Sequence, residues 1–499
     1  MKNIGLQNAF RLSTICCYTV ILLILILTAS TGSCQNSIRT NAIKVGVGMV
    51  EITPPIGYPH YRGELAGIIT HGTGIKNPLY ARSLVFRQGD MQGALLICDL
   101  NAVPRDLIRL VRERASKQTG IPYQYISVAA THTHTAPSIR QPVPAYADRE
   151  ATGKLTTEDQ KGYIALLIQR MTQAIVTAYK DAKEVDLISG ISQAAGISFN
   201  RRFLMTDGRV RFNPGVQNPK IVHPVGPVDP DVHFVMFRPV AQKDYHASLT
   251  VFANHTDTEG GTDFSADYPF YLHKYLGEAF GKQLVSVFGA GPCGDINHID
   301  VSQPKGTDQK KITERIGKKL AEAVREAVAN AQQRSPLLHV ASRTFYLPLQ
   351  DFTAADFQWA SKDTNKLYPE REFLDNVRRR KILSLEQLRK REAIPPSVSG
   401  EPWLLPLEIH VFQLNDQTAI VTLPGEVFAE LGMDLKKRSP FANTIVIELA
   451  NADIRYVPTL RAFAEGDYEP LQSRMVPGSG EKLVEEAIRM LHQMREKKE

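Results

Sequence analysis

Tyr125-Ile126-Ser127-Val128-Ala129-Ala130-Thr131-His132-Thr133-His134-Thr135 carries an apolar, strand-like segment straight into two histidines. If Tyr125 to Ala130 is a strand and the backbone stays extended beyond it, His132 and His134 share a face, because side chains two apart in a strand point the same way. Taken alone, the pair fits a polar loop equally well. Its position after a strand matters more, since open α/β sheets place their ligands at the carboxyl ends of strands.

Working outward from that stretch, short apolar, β-branched runs alternate with longer helical patterns, which is the mark of an α/β domain. Strands are expected at Ile43 to Ile52, Ser83 to Arg87, Gly93 to Leu100, Val185 to Gln193, Val232 to Arg238 and Ser248 to Asn254. Others are expected at Leu284 to Gly289, Leu338 to Leu347, Ile409 to Leu414, Ala419 to Leu423 and Thr444 to Leu449. Helices are expected at Pro104 to Lys117, Thr157 to Tyr179, Tyr268 to Phe280, Asp308 to Ala331, Glu370 to Arg391, Val427 to Lys437 and Glu481 to Gln493. The expectation is a mixed β-sheet core covered by helices, with a metal site at strand carboxyl ends. No fixed-period repeat or low-complexity linker divides residues 36–499, which read as one catalytic unit. The charged stretch at about 355–402 reads as a surface helical insertion whose helix stops before Pro395-Pro396.

The amino terminus has a different character. Lys2 and Arg11 precede the apolar run Ile15 to Leu27, and small residues follow at Ala29 to Ser33. That is a secretory signal over 1–34, its apolar run being shorter than the roughly 20 residues a spanning helix needs. Cys34 stands where a bacterial lipoprotein carries its lipidated cysteine, although Thr31 occupies the usual Leu position. The expected location is therefore exported: periplasmic, secreted, or lipid-anchored at Cys34. Beyond it only Cys98 and Cys293 remain, too few for a disulfide framework.

The 499 residues are 43% hydrophobic and 22% charged, an ordinary globular balance. Net charge is +7, but no basic run is interleaved with aromatics, which argues against nucleic acid as a partner. Mild attraction to anionic lipid leaves room for peripheral membrane contact. Gly289-Ala290-Gly291 lacks a following Lys-Ser/Thr and is no phosphate cradle. The Asp308 to Ala331 helix, with Ile312, Ile316, Leu320, Val324 and Val328 on one side, reads as an amphipathic cover.

Three further strand ends carry polar groups. One leads into His255-Thr256-Asp257-Thr258-Glu259, a second into Pro424-Gly425-Glu426, and a third into Asn451 and then Tyr456. Two neutral imidazoles, a carboxylate and a phenolate suit a divalent cation, zinc best of all. There is no compact HExxH-type motif, so spacing alone is suggestive and no more.

From about residue 44 to 494 the chain resembles the neutral, non-lysosomal ceramidases over their catalytic domain. The motifs are Val45-Gly46-Val47-Gly48 through Ile52-Thr53-Pro54-Pro55, Gly74-Ile75 to Tyr80-Ala81-Arg82, Thr131-His132-Thr133-His134 and Phe199-Asn200-Arg201. They continue with Phe252-Ala253-Asn254-His255 to Ser265-Ala266-Asp267, Gly294-Asp295, Pro424-Gly425-Glu426 and Asn451 to Glu469. The resemblance implies zinc ligands at His132, His255, Glu426 and Tyr456, the residues singled out above at the strand ends. It implies substrate or proton contact at His134, and oxyanion stabilisation by Arg201 and Tyr468.

The chain departs from that family pattern in three ways. The family's Gly-Asp-Val-Ser-Pro-Asn stretch appears as Gly294-Asp295-Ile296-Asn297-His298-Ile299, so Asn297 replaces its serine. A zinc-activated water is then expected to attack, with Asp295 and Asn297 orienting. Asp257 and Glu259 make the loop after His255 more acidic than the family's, which points to a polar or cationic substrate group. Full-size members continue into an immunoglobulin-like domain that is not expected here. The implied function is zinc-dependent cleavage of an amide bond in an N-acyl small-molecule or lipid substrate, ceramide-like or other. Esterase or deacetylase activity, or a non-catalytic metal-binding or ligand-binding role, remain open alternatives. Oligomeric state is not readable.

Overall fold

A computed structural model describes residues 42–62, 70–139, 160–304, 311–362, 373–400 and 402–496. The signal-like segment and Cys34 lie outside these residues. The Lys44-Val45-Gly46-Val47-Gly48 pattern shows how sequence becomes layer. In strand β1 (Lys44–Glu51), Val45 and Val47 point to one face and are buried in the core between two sheets. Gly46 and Gly48 point to the other face, where helix α2 (Gln160–Asp181) lies against the strand. A Cβ at Gly46 would come within 1.9 Å of the Ala178 carbonyl, and one at Gly48 within 2.1 Å of Ala174's. Only glycine allows that approach.

The large sheet holds eight strands: β1, β2 (Tyr80–Gln88), β3 (Met91–Cys98), β4 (Ile126–Ala130), β5 (Lys183–Gln193), β6 (Asp231–Pro239), β7 (Ala247–Phe252) and β8 (Val285–Ala290). Their order is β8-β7-β6-β5-β1-β2-β3-β4. The interior of the sheet is antiparallel, but the outermost pairs, β3/β4 and β7/β8, are parallel. The second sheet orders β9 (Pro336–Pro348), β10 (Leu404–Asn415), β11 (Thr418–Thr422) and β12 (Asn443–Ile447), the last two also parallel. A parallel pair requires a crossover rather than a hairpin. Each such pair thus leaves a loop at its carboxyl ends.

The two sheets pack face to face. Leu84, Phe86, Leu95, Ile97 and Phe237 from one meet Val340, Phe412, Ile420 and Ile445 from the other. Outside the large sheet, α1 (Arg105–Thr119) and α2 bury Leu107, Val111, Leu167 and Met171 over Val85, Leu96 and Val128. Further along the same face, α3 (Tyr268–Phe280) and α4 (Ile312–Val328) cover Phe234, Met236 and Phe288. Helices α6 (Ala429–Arg438) and α7 (Ser479–Glu496) cover the outer face of the small sheet. The architecture is a helix–sheet–sheet–helix α/β sandwich, the mixed sheet covered by helices that the sequence predicts. Helix α5 (Phe373–Arg391), within the stretch read as a surface insertion, ends before the Pro395-Pro396 pair. It buries Val377, Ile382 and Leu385 against the rest of the structure. Cys98 and Cys293 are both buried and free. No described helix is long and apolar enough to cross a membrane.

Candidate metal centre

At the carboxyl end of β4 the backbone does not stay extended. His132 takes φ +70°, a left-handed conformation rare for a residue with a side chain and a form of strain that clusters at functional sites. The turn is held by Thr131 N donating to the Cys98 carbonyl and His132 N to that of Leu100, both at 2.9 Å. His134 N donates to Thr256 O at 3.0 Å, tying the turn to the loop after β7. The two histidines therefore converge through a turn, not through strand alternation. Their Nε2 atoms lie 3.3 Å apart.

His255 and Glu426 complete the group. His132 Nε2 lies 3.4 Å and His255 Nε2 3.5 Å from Glu426 Oε2, and all three side chains are buried. His132 Nδ1 donates to the Asn101 carbonyl at 2.9 Å, which leaves the Nε2 lone pair facing the carboxylate. Glu426 Oε2 is buried without a hydrogen-bond donor. A buried carboxylate oxygen faced by imidazole lone pairs is a group lacking a cation. Arg201 meets part of that need: its Nη1 lies 3.1 Å from His255 Nε2.

Burial keeps His134 neutral, well below the usual imidazole range. His255 is likewise pushed far down, by burial and by Arg201. Neutral imidazoles and an anionic carboxylate are the forms that bind metals.

Tyr456 is the register partner of Glu426 in a short parallel ladder, Glu426–Val427 with Tyr456–Val457. Burial, and then Glu426, raise its phenol well above its usual range. Its ring lies 5.4 Å from the Arg201 guanidinium carbon and 5.6 Å from the Tyr468 ring. Arg201 itself donates to Glu469 Oε1 at 2.9 Å and to the Gly294 carbonyl at 2.6 Å. Tyr468 is packed against Phe212, and Gln472 donates to its hydroxyl at 3.4 Å.

Asp295 and Asn297 stand further back. Asp295 accepts from Asn200 at 2.8 Å and from Ala429 N, at the start of α6, at 2.9 Å, while its carbonyl accepts from Arg201 N. Asn297 donates to Asn213 Oδ1 and accepts from Ile299 N, each at 2.9 Å. Asp257 and Glu259 do not offer free charge to a ligand. Asp257 pairs with Arg62 at 2.7 Å and lies 3.5 Å from His134 Nδ1, and Glu259 pairs with Lys76. The expectation of a cationic substrate group, drawn from these two carboxylates, is corrected: protein cations already neutralise them.

Sequence reasoning missed Glu469, Asn101 and the orienting place of Asp257. Glu469 directly follows Tyr468 in the chain, yet nothing in its spacing marks it as the partner of Arg201. The histidines alone form a metal-capable group: donor atoms of His132, His134 and His255 all lie within 4.8 Å of one another. This set includes His134, which the resemblance assigns to substrate. Glu426, facing two of the three, is the better third donor because a buried anion without a partner needs a cation more than a neutral imidazole does.

No protein-family model and no curated protein matches the chain. Among solved structures it is similar to the neutral ceramidase from Pseudomonas aeruginosa, with a TM-score of 0.67 at 15% identity over 92% of this chain and 75% of that one. A ceramidase complexed with C2 gives 0.65 at 16% identity, over 92% of this chain and 76% of that one. The fold is that of the neutral ceramidases, the family whose motifs the sequence resembles.

Proposed function

We propose that the chain is an exported, zinc-dependent hydrolase of the neutral ceramidase type, free or tethered through Cys34, that cleaves an amide bond in an N-acyl substrate. The observation that carries the reading is the buried Glu426 oxygen without a donor, faced by His132 Nε2 at 3.4 Å and His255 Nε2 at 3.5 Å. His132, His255, Glu426 and Tyr456 would hold the ion, a nitrogen and anionic-oxygen set suited to zinc. Zinc, when bound, supplies Lewis acidity that brings water to a pKa of about 7.

The chain's own residues supply the rest. His134, neutral and backed at its Nδ1 by Asp257 at 3.5 Å, is placed to accept a proton from water and pass it to the departing amine. Arg201, fixed by Glu469 and Gly294, and the Tyr468 hydroxyl stabilise negative charge as it develops on the acyl oxygen. Asp295 and Asn297 keep the backbone around Arg201 and the α6 start in place. In the balanced reaction the acyl carbon–nitrogen bond breaks, the acyl carbon takes hydroxide from water, and the nitrogen takes the proton.

A chelator and the His132→Ala variant should each abolish hydrolysis of N-acyl amides, with zinc restoring only the chelated wild type. Full activity in either preparation rules the reading out. A matched ester offered beside the amide decides which bond is preferred.

A further inference from the structure

Beside the histidine group lies a cavity of about 410 Å3 that the proposed chemistry leaves unused. Two residues belong to both places. The Tyr61 ring stands edge-on to His134 with centroids 5.6 Å apart, and the Asn101 carbonyl accepts from His132 Nδ1. Arg455 also joins them, since its carbonyl accepts from Glu426 N at 2.9 Å while its guanidinium reaches the Tyr61 hydroxyl at 3.2 Å. A group in the cavity is therefore next to the reacting centre.

The cavity wall is strongly cationic. Among the described residues it carries Arg105 from α1, Arg380 and Arg391 from α5, and Arg455 and Arg474 from later loops. The carboxylates among the described lining residues are Glu392 and Asp453. Arg105 lies 3.2 Å from Glu392 and Arg455 3.7 Å from Asp453, so both carboxylates are already engaged. Arg474 is buried and donates to neutral acceptors, the Ser384 hydroxyl at 2.9 Å and the Gln472 carbonyl. Burial, with the charges of Arg455 and Arg380 acting alongside it, brings Arg474 down to about 9. Crowded guanidinium groups in a half-enclosed site are relieved by an oxyanion, which their planar forks bind in paired hydrogen bonds.

We propose that this cavity binds an oxyanion on the amine half of the substrate, so that the enzyme acts on N-acyl amino acids or related acidic amides in preference to uncharged ones. The inference rests on the amide-hydrolase reading for its chemistry, but not for its binding. Three probes share one acyl chain: N-lauroylglycine with a carboxylate, N-lauroyltaurine with a sulfonate, and N-lauroylethanolamine with neither. Each is titrated calorimetrically into the full-length, chelator-treated protein. One acid or both should bind at least about tenfold tighter than the ethanolamide, as expected for a charge-assisted hydrogen bond of about 1.5 kcal/mol or more. The tighter-binding of the two acids identifies the oxyanion.

The Arg380→Gln/Arg391→Gln double variant should lose this preference. Arg391 is exposed, so Arg391→Gln alone keeps the fold and should narrow the preference in the same direction. Equal binding of the three probes, no binding of either acid, or a preference that survives the double variant overturns the proposal. Turnover separates the two ideas. Zinc-loaded enzyme that binds acids selectively yet cleaves none of the probes sinks the hydrolase reading and leaves the anion site standing. Cleavage of all three with equal binding does the reverse.

Discussion

At the residue scale, the site rests on a few side chains whose second polar contact orients them. The Asn101 carbonyl sets the His132 tautomer, Asp257 backs His134, and Glu469 aims Arg201. Arg201 is bound through three separate groups, which makes its fork shape and not merely its charge essential. Arg201→Lys should therefore lower kcat by about a hundredfold or more, the usual loss on removing an oxyanion donor, with zinc content unchanged. Unchanged kcat, or loss of the metal, would contradict that role. His132, His255 and Glu426, which the structure brings together, stand out in the sequence because each lies a few residues past an apolar run. Asp257 was legible as a charge but not as a neutralised one, because Arg62 lies 195 positions away in the chain. Glu469 was not legible, since an ion pair across hundreds of residues leaves no local pattern.

At the element scale, among the described residues, the twelve long strands and seven main helices all coincide with periodic segments of the sequence. What escaped were two-residue ladders such as Glu426–Val427 with Tyr456–Val457, too short to show a period yet responsible for setting the carboxylate beside the phenol. The turn at His132 also escaped, because tertiary hydrogen bonds and not local preference hold its positive φ. Helix α3 provides a pH test. Burial, chiefly, brings His273 down to about 4, and its Nδ1 accepts from Ser286 N at 3.3 Å, a bond that only the unprotonated nitrogen can make. The unfolded chain thus binds the extra proton between pH 6.5 and 4 while the folded chain does not. Stability is unpenalised above pH 6.5 and falls as pH drops through that window. His273→Gln should remove about 2 kcal/mol of the loss between pH 7 and 5, read by urea unfolding at each pH. Parallel pH curves for variant and wild type would show that His273 is not held neutral.

At the scale of the whole molecule, the carboxyl ends of three parallel strand pairs lead into the loops that bring His132, His255 and Glu426 together. The alternation of strands and helices made the α/β class readable. The packing of one sheet on the other was not, because residues such as Phe86 and Phe412, 326 positions apart by their numbers, reveal their contact only in three dimensions. The same convergence puts a cationic cavity against the reacting centre, which composition, with its modest net charge of +7, does not reveal. The central claim is that His132, His255, Glu426 and Tyr456 close around one ion. Elemental analysis of the purified chain beside Glu426→Gln tests it most directly. The account predicts one zinc per wild-type chain and essentially none in a variant that remains folded. A folded wild type that takes up no zinc, or a variant that holds as much as the wild type, would contradict it.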